Sequence, residues 1–268
     1  MQFVLSRVVS RIPNEEVMVT SIPKILHFCW FSEEEYPALV KKCMKSWVRN
    51  CPDFKIVKWN LENFDVNVTR YSSEAYSAGK FTFLSDYVRL YALYEFGGVY
   101  ADSDVEILKP LDRFLLHGGF IGFELVDALN PAFLGCEPKH PIVGKLLEVY
   151  SSRAFLLEDG SLDLTPMPAY ITPIISDAFG LKPDGSYQVL DGDFHVYPQD
   201  YFSPKDLQTG KVRLTPNSYA VHHFAGSWLP SEVKTYRSVL WMAYKFLGEG
   251  VTDLLRDIRR KIIRFFRN

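Results

Sequence analysis

An α/β fold, with one sheet and helices packed around it, is the class this sequence predicts. Two stretches predict it. The first is a strand–helix–strand order over "SIPKILHFCWF" (21–31), "ALVKKCMKSWVRN" (38–50) and "FKIVKWN" (54–60), which is how parallel sheets are built. The second is a long helical pattern, "TFLSDYVRLYALYEF" (82–96), that runs into Gly97-Gly98 and a short apolar strand. With 268 residues and 47% hydrophobic content, the chain is long enough for one substantial core.

Each element has a local reason. Pro23 leads into the first strand, and Pro37 suits the first turn of the following helix. In the 82–96 helix, Leu84, Val88, Tyr91 and Leu93 or Tyr94 form an apolar stripe. Asp86 and Arg89 fall three apart on a shared polar face, the spacing of an intrahelical ion pair. Gly97 and Gly98 can end the helix by taking positive φ. Val99, Tyr100 and Ala101 then make a strand whose carboxyl end carries Asp102 and Asp104. Ligands bind at that end of open α/β sheets. Further strands are expected around 119–126, 131–136 and 218–224, with helices at 140–152, 232–248 and 252–267. The stretch 160–218, rich in Pro, Gly, Asp and Tyr, is expected to be mostly loop.

Composition excludes some function classes. Acidic and basic side chains number 32 and 30, so nucleic acid is not an expected partner. The four cysteines, Cys29, Cys43, Cys51 and Cys136, form no zinc-ligand spacing and read as buried thiols in a reducing compartment. No run reaches the roughly 20 apolar residues of a membrane span. Residues 1–20 read as an extension without signal-peptide character, and Met18 is a candidate alternative start. A cytoplasmic location is expected.

Two Asp-x-Asp pairs occur, Asp102/Asp104 and Asp191/Asp193. Such a pair is common by chance, and placement separates the two. Asp191 and Asp193 bracket Gly192 and read as a tight turn. Asp102 and Asp104 end a buried strand. Carboxylates there can hold a hard divalent cation, which in turn offsets the charge of a diphosphate leaving group.

The runs "IPKILHFCWF", "WNLENFD", "FLSDYVRLYALYEFGGVYADSDVEILKPLD" and "SYAVHHFAGSW" together resemble the glycosyltransferase family 32 pattern, with its Asp-x-Asp sugar-binding region. The resemblance is dense over 22–112, returns at 218–228 and is sparse between. It implies a GT-A-like (Rossmann-like) mixed sheet flanked by helices as a single domain over 21–231, with C-terminal helices over 232–268. It also implies a nucleotide-sugar donor, a divalent cofactor (manganese, or magnesium), and retention at the anomeric carbon. By motif, Asp102 and Asp104 would hold the metal and sugar diphosphate, with Asp104 the more direct ligand. Asp86 and Arg89 would contact the donor sugar and ribose. Tyr100 matches an aromatic beside the pair, Trp30 a ring stacked on the base, and Asn60 a nucleoside contact. His222 resembles the C-terminal metal ligand; its neighbour His223 competes for that role, and only one of them can face the site. Ser227 and Trp228 would close over the diphosphate. Glu124, in "IGFEL", is a candidate carboxylate near the anomeric centre. Each of these residues has a plain structural alternative, Trp30 as core and His222 as a buried histidine.

The final stretch "TDLLRDIRRKIIRFFRN" (252–268) sets Leu254, Leu255, Ile258, Ile262, Phe265 and Phe266 against six basic residues. Asp253 and Asp257 reduce its local charge to +4. A helix of that kind lies in a headgroup plane, so peripheral contact with the inner face of the plasma membrane is expected. It would suit a glycan acceptor of the lipid-linked kind in surface or capsular polysaccharide synthesis. Two other functions share features with this sequence. One is a haloacid-dehalogenase-type phosphatase, which has no role for "SDYVRL". The other is a non-catalytic sugar-binding protein derived from a transferase.

Overall fold

The computed structural model describes residues 21–207, 209–226 and 231–247. In chain order the elements are β1 (Ile25–Cys29), α1 (Ala38–Asn50), β2 (Lys55–Trp59), α2 (Arg70–Ser77) and α3 (Phe81–Phe96). Then come β3 (Gly98–Ala101), β4 (Val105–Ile107), β5 (Gly119–Leu125), β6 (Ala128–Cys136) and α4 (Pro141–Ser152). The chain continues through α5 (Pro168–Phe179), β7 (Gln188–Leu190), β8 (Phe194–Tyr197), α6 (Gln199–Phe202), β9 (Ala220–His222) and α7 (Ser231–Leu247).

Seven strands form one sheet in the order β2-β1-β3-β6-β5-β8-β7. β2, β1 and β3 run parallel, as the strand–helix–strand order predicts. β6 runs against both β3 and β5, and β5 pairs in parallel with β8, so the sheet is mixed. Helices cover it, and the expected class of a mixed sheet flanked by helices holds. β5 and β6 each carry one buried run, "GFIGF" and "LNPAFLGC", because packed layers leave them little contact with water.

β4 and β9 pair separately, as a two-stranded antiparallel ribbon. α1 completes the hydrogen bonding of β4. The buried Trp47 indole donates to the Val105 carbonyl at 2.7 Å, and Asn50 donates to the Ile107 carbonyl at 2.7 Å. Ser46 Oγ accepts from the Ile107 amide at 2.9 Å. A three-residue strand with one partner would otherwise leave these main-chain groups unmet away from water. α1 therefore fixes where the chain goes immediately after Asp104.

Two expectations need correction. The segment 160–218 is not loop-dominated: it supplies α5, β7, β8 and α6, and two of these are strands of the main sheet. Pro173 inside α5 and the shortness of β7 and β8 hide them from periodicity. α3 does not present a solvated polar face. Asp86 and Arg89 are buried along with Leu84, Val88 and Leu93, because α2 and α4 pack against this helix. The first C-terminal helix also touches the body of the fold. In α7, the Trp241 ring lies under the Lys205 ammonium at 4.0 Å, and its indole donates to the Leu207 carbonyl at 3.3 Å. Residues 1–20 and the basic stretch 252–268 lie outside the described residues.

Candidate functional site

The parallel half of the sheet places three predicted residues at one end. Trp59 pairs with Cys29 and Tyr100 with His27, so β2, β1 and β3 finish side by side. Asn60, Trp30 and Asp102 follow those strands, at the carboxyl ends where α/β sheets take ligands. The Gly-Gly stop makes this possible. Gly97 has φ 62° and Gly98 has φ 103°, a left-handed pair that turns the chain from α3 straight into β3.

Beyond β3 the chain makes a tight turn, with the Val105 amide donating to the Asp102 carbonyl at 2.9 Å. The antiparallel ribbon then brings His222 opposite Val105. One ligand atom each from Asp102, Asp104 and His222 lie within 4.8 Å of one another. The His222 Nε2 is 3.6 Å from Asp104 Oδ1, beyond hydrogen-bond length. Its other nitrogen, Nδ1, is buried and has no hydrogen-bond partner among the described residues. A buried imidazole without hydrogen bonds calls for an explanation. Two carboxylates beside it form a donor set that suits a divalent cation.

The neighbouring histidine is committed elsewhere. His223 Nε2 lies 2.9 Å from Glu106 Oε2, and Lys42 also donates to that carboxylate at 2.7 Å. Against the effect of burial, Lys42 and His223 hold the Glu106 carboxyl below its usual range. The strand alternation that made the two histidines rivals thus sends one to Asp104 and the other to Glu106. Main-chain bonds secure the arrangement. Asp104 Oδ2 accepts from the Ala225 amide at 2.7 Å, and the Asp104 carbonyl from the His223 amide at 3.1 Å. Sequence alone did not identify Glu106 or Lys42, whose roles depend on the pairing of β4 with β9.

Asp102 is held from the opposite side. Tyr100 Oη donates to Asp102 Oδ1 at 2.8 Å, and Arg89 Nη2 lies 3.3 Å from the same oxygen. Burial pushes the Asp102 carboxyl up; Arg89 opposes this and Asp104 adds to it. Arg89 is 2% exposed, and all three of its nitrogens bond within the protein. They reach Asp86 Oδ1 at 2.9 Å, the Pro131 carbonyl at 2.8 Å and the Ser85 carbonyl at 3.3 Å. Its guanidinium also lies 4.8 Å from the Tyr100 ring centre. The predicted ion pair between Asp86 and Arg89 therefore exists, extended to Asp102 and buried. Burial pushes the Asp86 carboxyl up, against the pull of Arg89.

Trp30 and Asn60 line one cleft of about 590 Å³ together with Tyr36, Lys41, Lys58 and Glu34. Trp30 is half-buried, packed edge-on against Tyr36 at 4.9 Å, and its indole donates to the Glu34 carbonyl at 3.3 Å. Asn60 shapes the turn after β2, accepting from the Glu62 amide at 3.1 Å. Glu124 stands near the end of β5 at the rim of a second cleft, with Thr172 and Ser176 of α5. Burial pushes its carboxyl up to about 8, Asp102 adding to the shift and Arg89 opposing it. Ser227 and Trp228 lie outside the described residues. Asp191 and Asp193 form the expected turn, with Gly192 at φ 78° and Asp193 at φ 55°.

Residues 37–120 match the family described as glycosyltransferase sugar-binding region containing DXD motif. The matched stretch holds Asn60, Asp86, Arg89, Tyr100, Asp102 and Asp104; Trp30 and His222 lie outside it. Inositol phosphoceramide mannosyltransferase 3 of Schizosaccharomyces pombe is 28% identical over 143 residues, covering 50% of this chain and 39% of that protein. Inositol phosphoceramide mannosyltransferase 1 of the same yeast is 30% identical over 135 residues, covering 46% and 40%. The chain spans about two fifths of the length of these curated relatives. Among solved structures, the PaToxG glycosyltransferase aligns with 58% of this chain and 68% of its own, at 16% identity and a TM-score of 0.47. The glycosyltransferase GlyE of Streptococcus pneumoniae TIGR4 aligns with 90% and 64%, at 15% identity and a TM-score of 0.42.

Proposed function

We propose that this chain, whose residues 37–120 match a DXD-containing glycosyltransferase region, transfers a sugar from a nucleotide-sugar donor to a glycan acceptor. The observation that carries the reading is the convergence of Asp102 and Asp104 with His222, which comes from far along the chain, at the carboxyl end of β3. The His222 imidazole and the two carboxylates, with one ligand atom each within 4.8 Å of the others, fit a manganese or magnesium ion. When bound, such an ion offsets the charge that collects on a diphosphate as the glycosidic bond breaks.

The chain's own residues divide the remaining work. Asp104, in the turn before β4, and His222, at the end of β9, face each other and hold the cation site. Asp102 belongs to the same site and is oriented by the Tyr100 hydroxyl and Arg89. Arg89, buried and bonded to the Asp102 carboxylate, positions Asp102; Asp86 in turn positions Arg89. That departs from a direct sugar contact by Arg89, while the buried network still sets the geometry of the donor site. Trp30 and Asn60, on one cleft beside the ends of β1 and β2, are proposed to take the nucleoside. Stacking on a half-exposed ring suits a base. Ser227 and Trp228 enter the proposal on the resemblance alone, as residues that close over the diphosphate. Retention at the anomeric carbon has the same support. Glu124, whose carboxyl is pushed up by burial, is the candidate carboxylate near the anomeric centre on that resemblance.

The donor proposed is a uridine diphosphate sugar, and the acceptor a lipid-linked glycan of surface or capsular polysaccharide, met at the inner face of the plasma membrane. A lipid-linked acceptor has support from the two relatives, both named for inositol phosphoceramide. Their being named mannosyltransferases brings guanosine diphosphate mannose into the test. The protein is incubated with a panel of uridine and guanosine diphosphate sugars, with and without manganese, and released nucleotide is measured. Turnover of one donor that requires the metal is expected. Asp104→Ala should reduce this turnover to background while the circular dichroism spectrum stays unchanged. A folded Asp104→Ala protein that remains active would sink the metal assignment.

A further inference from the structure

We propose that His117, Asp193 and His195 form a second metal site, for a borderline divalent ion of the zinc class, at the opposite end of the sheet from Asp102. Topology brings the three together. β5 and β8 run parallel, with Gly119 beside Phe194 and Phe120 beside His195. His117 comes two residues before β5, and Asp193 immediately precedes β8. Gly98 of β3 and Gly119 of β5 both pair with Cys136 of β6, so the two strands start level. Asp102 lies past the far end of β3, whereas His117 lies before the near end of β5. The two clusters are thus separated by the length of the strands.

One ligand atom from each of the three side chains lies within 4.8 Å of the others. The two imidazole rings stack, with centres 3.5 Å apart and planes 20° from parallel, so one ring has to swing out of the stack before both can ligate a shared ion in plane. Each ring is fixed at one nitrogen by a tyrosine: Tyr197 Oη lies 2.9 Å from His117 Nε2, and Tyr187 Oη lies 2.7 Å from His195 Nδ1. Metal-binding histidines are characteristically held in this way, the second ring nitrogen being bonded to a neighbour that sets orientation and tautomer. His195 Nε2 is left facing Asp193 Oδ1 at 2.7 Å. The Gly118 amide donates to Asp193 Oδ2 at 3.0 Å and locks that carboxylate to the loop bearing His117.

The donor set also selects the ion. Two imidazoles and one carboxylate favour zinc and its transition-metal neighbours, whereas the two carboxylates and one imidazole near β3 favour harder cations. Three protein ligands leave a further position for water. Asp193 has 57% of its side chain exposed, so an ion can reach the site from solvent. A metal held there would fasten the loop before β5 to the turn before β8.

The test uses the full chain carrying Asp104→Ala and His222→Ala, which disable the other cluster, titrated with zinc chloride by calorimetry. One equivalent is expected to bind. Asp193→Asn, nearly isosteric and on the surface, should weaken that binding by at least about tenfold. In the otherwise unmodified chain, Asp193→Asn should lower total zinc by one equivalent and leave donor turnover unchanged. His195→Gln, checked for folding by circular dichroism, should abolish the same equivalent. Absence of zinc binding in the Asp104→Ala/His222→Ala chain, or undiminished binding after Asp193→Asn, would overturn the proposal. Neither result depends on whether the protein turns over a nucleotide sugar.

Discussion

His27 is bonded at both ring nitrogens in the core beside the site. Its Nδ1 lies 3.1 Å from the Trp59 indole nitrogen, which can only donate, so Nδ1 accepts. Nε2 therefore carries the hydrogen and donates to the Gly97 carbonyl at 2.8 Å. Burial lowers this imidazole to about 4, against the pull of the Gly97 carbonyl and with a smaller push from Lys55. The unfolded chain takes up a proton near the usual histidine value and the folded chain does not. Across that window the unfolded state binds more protons, so stability falls as pH drops. The expected loss from pH 7.5 to 4.5 is roughly 2–3 kcal/mol from this group. Urea unfolding at the two pH values measures it. His27→Gln should be less stable at pH 7.5 yet lose less on acidification; an unchanged loss would assign the effect to other groups. Nothing in "ILHFCW" reveals this role, because the bond runs to a carbonyl 70 residues away. Asp102 and Asp104, by contrast, were legible, since a strand end after a Gly-Gly stop is a local pattern.

Among the elements, β3 is the one on which the site depends most. Gly98 opens it at φ 103°, and an added Cβ would fall 2.6 Å from the Ile25 carbonyl oxygen in β1. Both the left-handed backbone and the overlap with main chain oppose a side chain. Gly98→Ala should cost on the order of 2–4 kcal/mol, combining backbone strain with overpacking. The same change shifts β3 against β1, so nucleotide release should fall even where thermal melts show the protein folded. A variant with unaltered melting temperature and turnover would show that β3 tolerates the displacement. Helix α1 was readable to its last residue, because its apolar spacing and Pro37 agree. α2 was not: its eight residues, "RYSSEAYS", are mostly polar, and only the Thr69–Ser72 capping box marks it. α5 was hidden by Pro173, which sequence reasoning takes as a break. β8 is four residues long and buried, too short to show a period.

For the whole molecule, charge is nearly balanced at −2, while 252–268 concentrates +4. None of the described helices is long and apolar enough to cross a membrane. Attachment through that stretch, with its six basic residues, would be interfacial and sensitive to salt. Deleting 252–268 should move the protein from the membrane fraction to the supernatant while leaving donor hydrolysis largely intact. A truncated protein that still sediments with membranes would remove the stretch from consideration as the anchor. The overall class was legible because parallel units at 21–60 and the helix at 82–96 are local. The sheet order was not, since β6 inserts between β3 and β5, and β8 joins from far along the chain.

The two-stranded ribbon of β4 and β9 bears on how the protein is made. Glu106 and His223, joined across that ribbon, are 117 residues apart. At about 5–20 residues per second, a ribosome takes on the order of ten seconds to travel between them. During that interval the acidic pair has been synthesised and its imidazole partner has not. A nascent chain can assemble β1, β2 and β3 and present Asp102 and Asp104 to the solution, but it cannot close the cluster until His222 has cleared the exit tunnel. Completion of the site therefore waits for β9, so that a polypeptide released before β9 keeps the motif and lacks its imidazole partner.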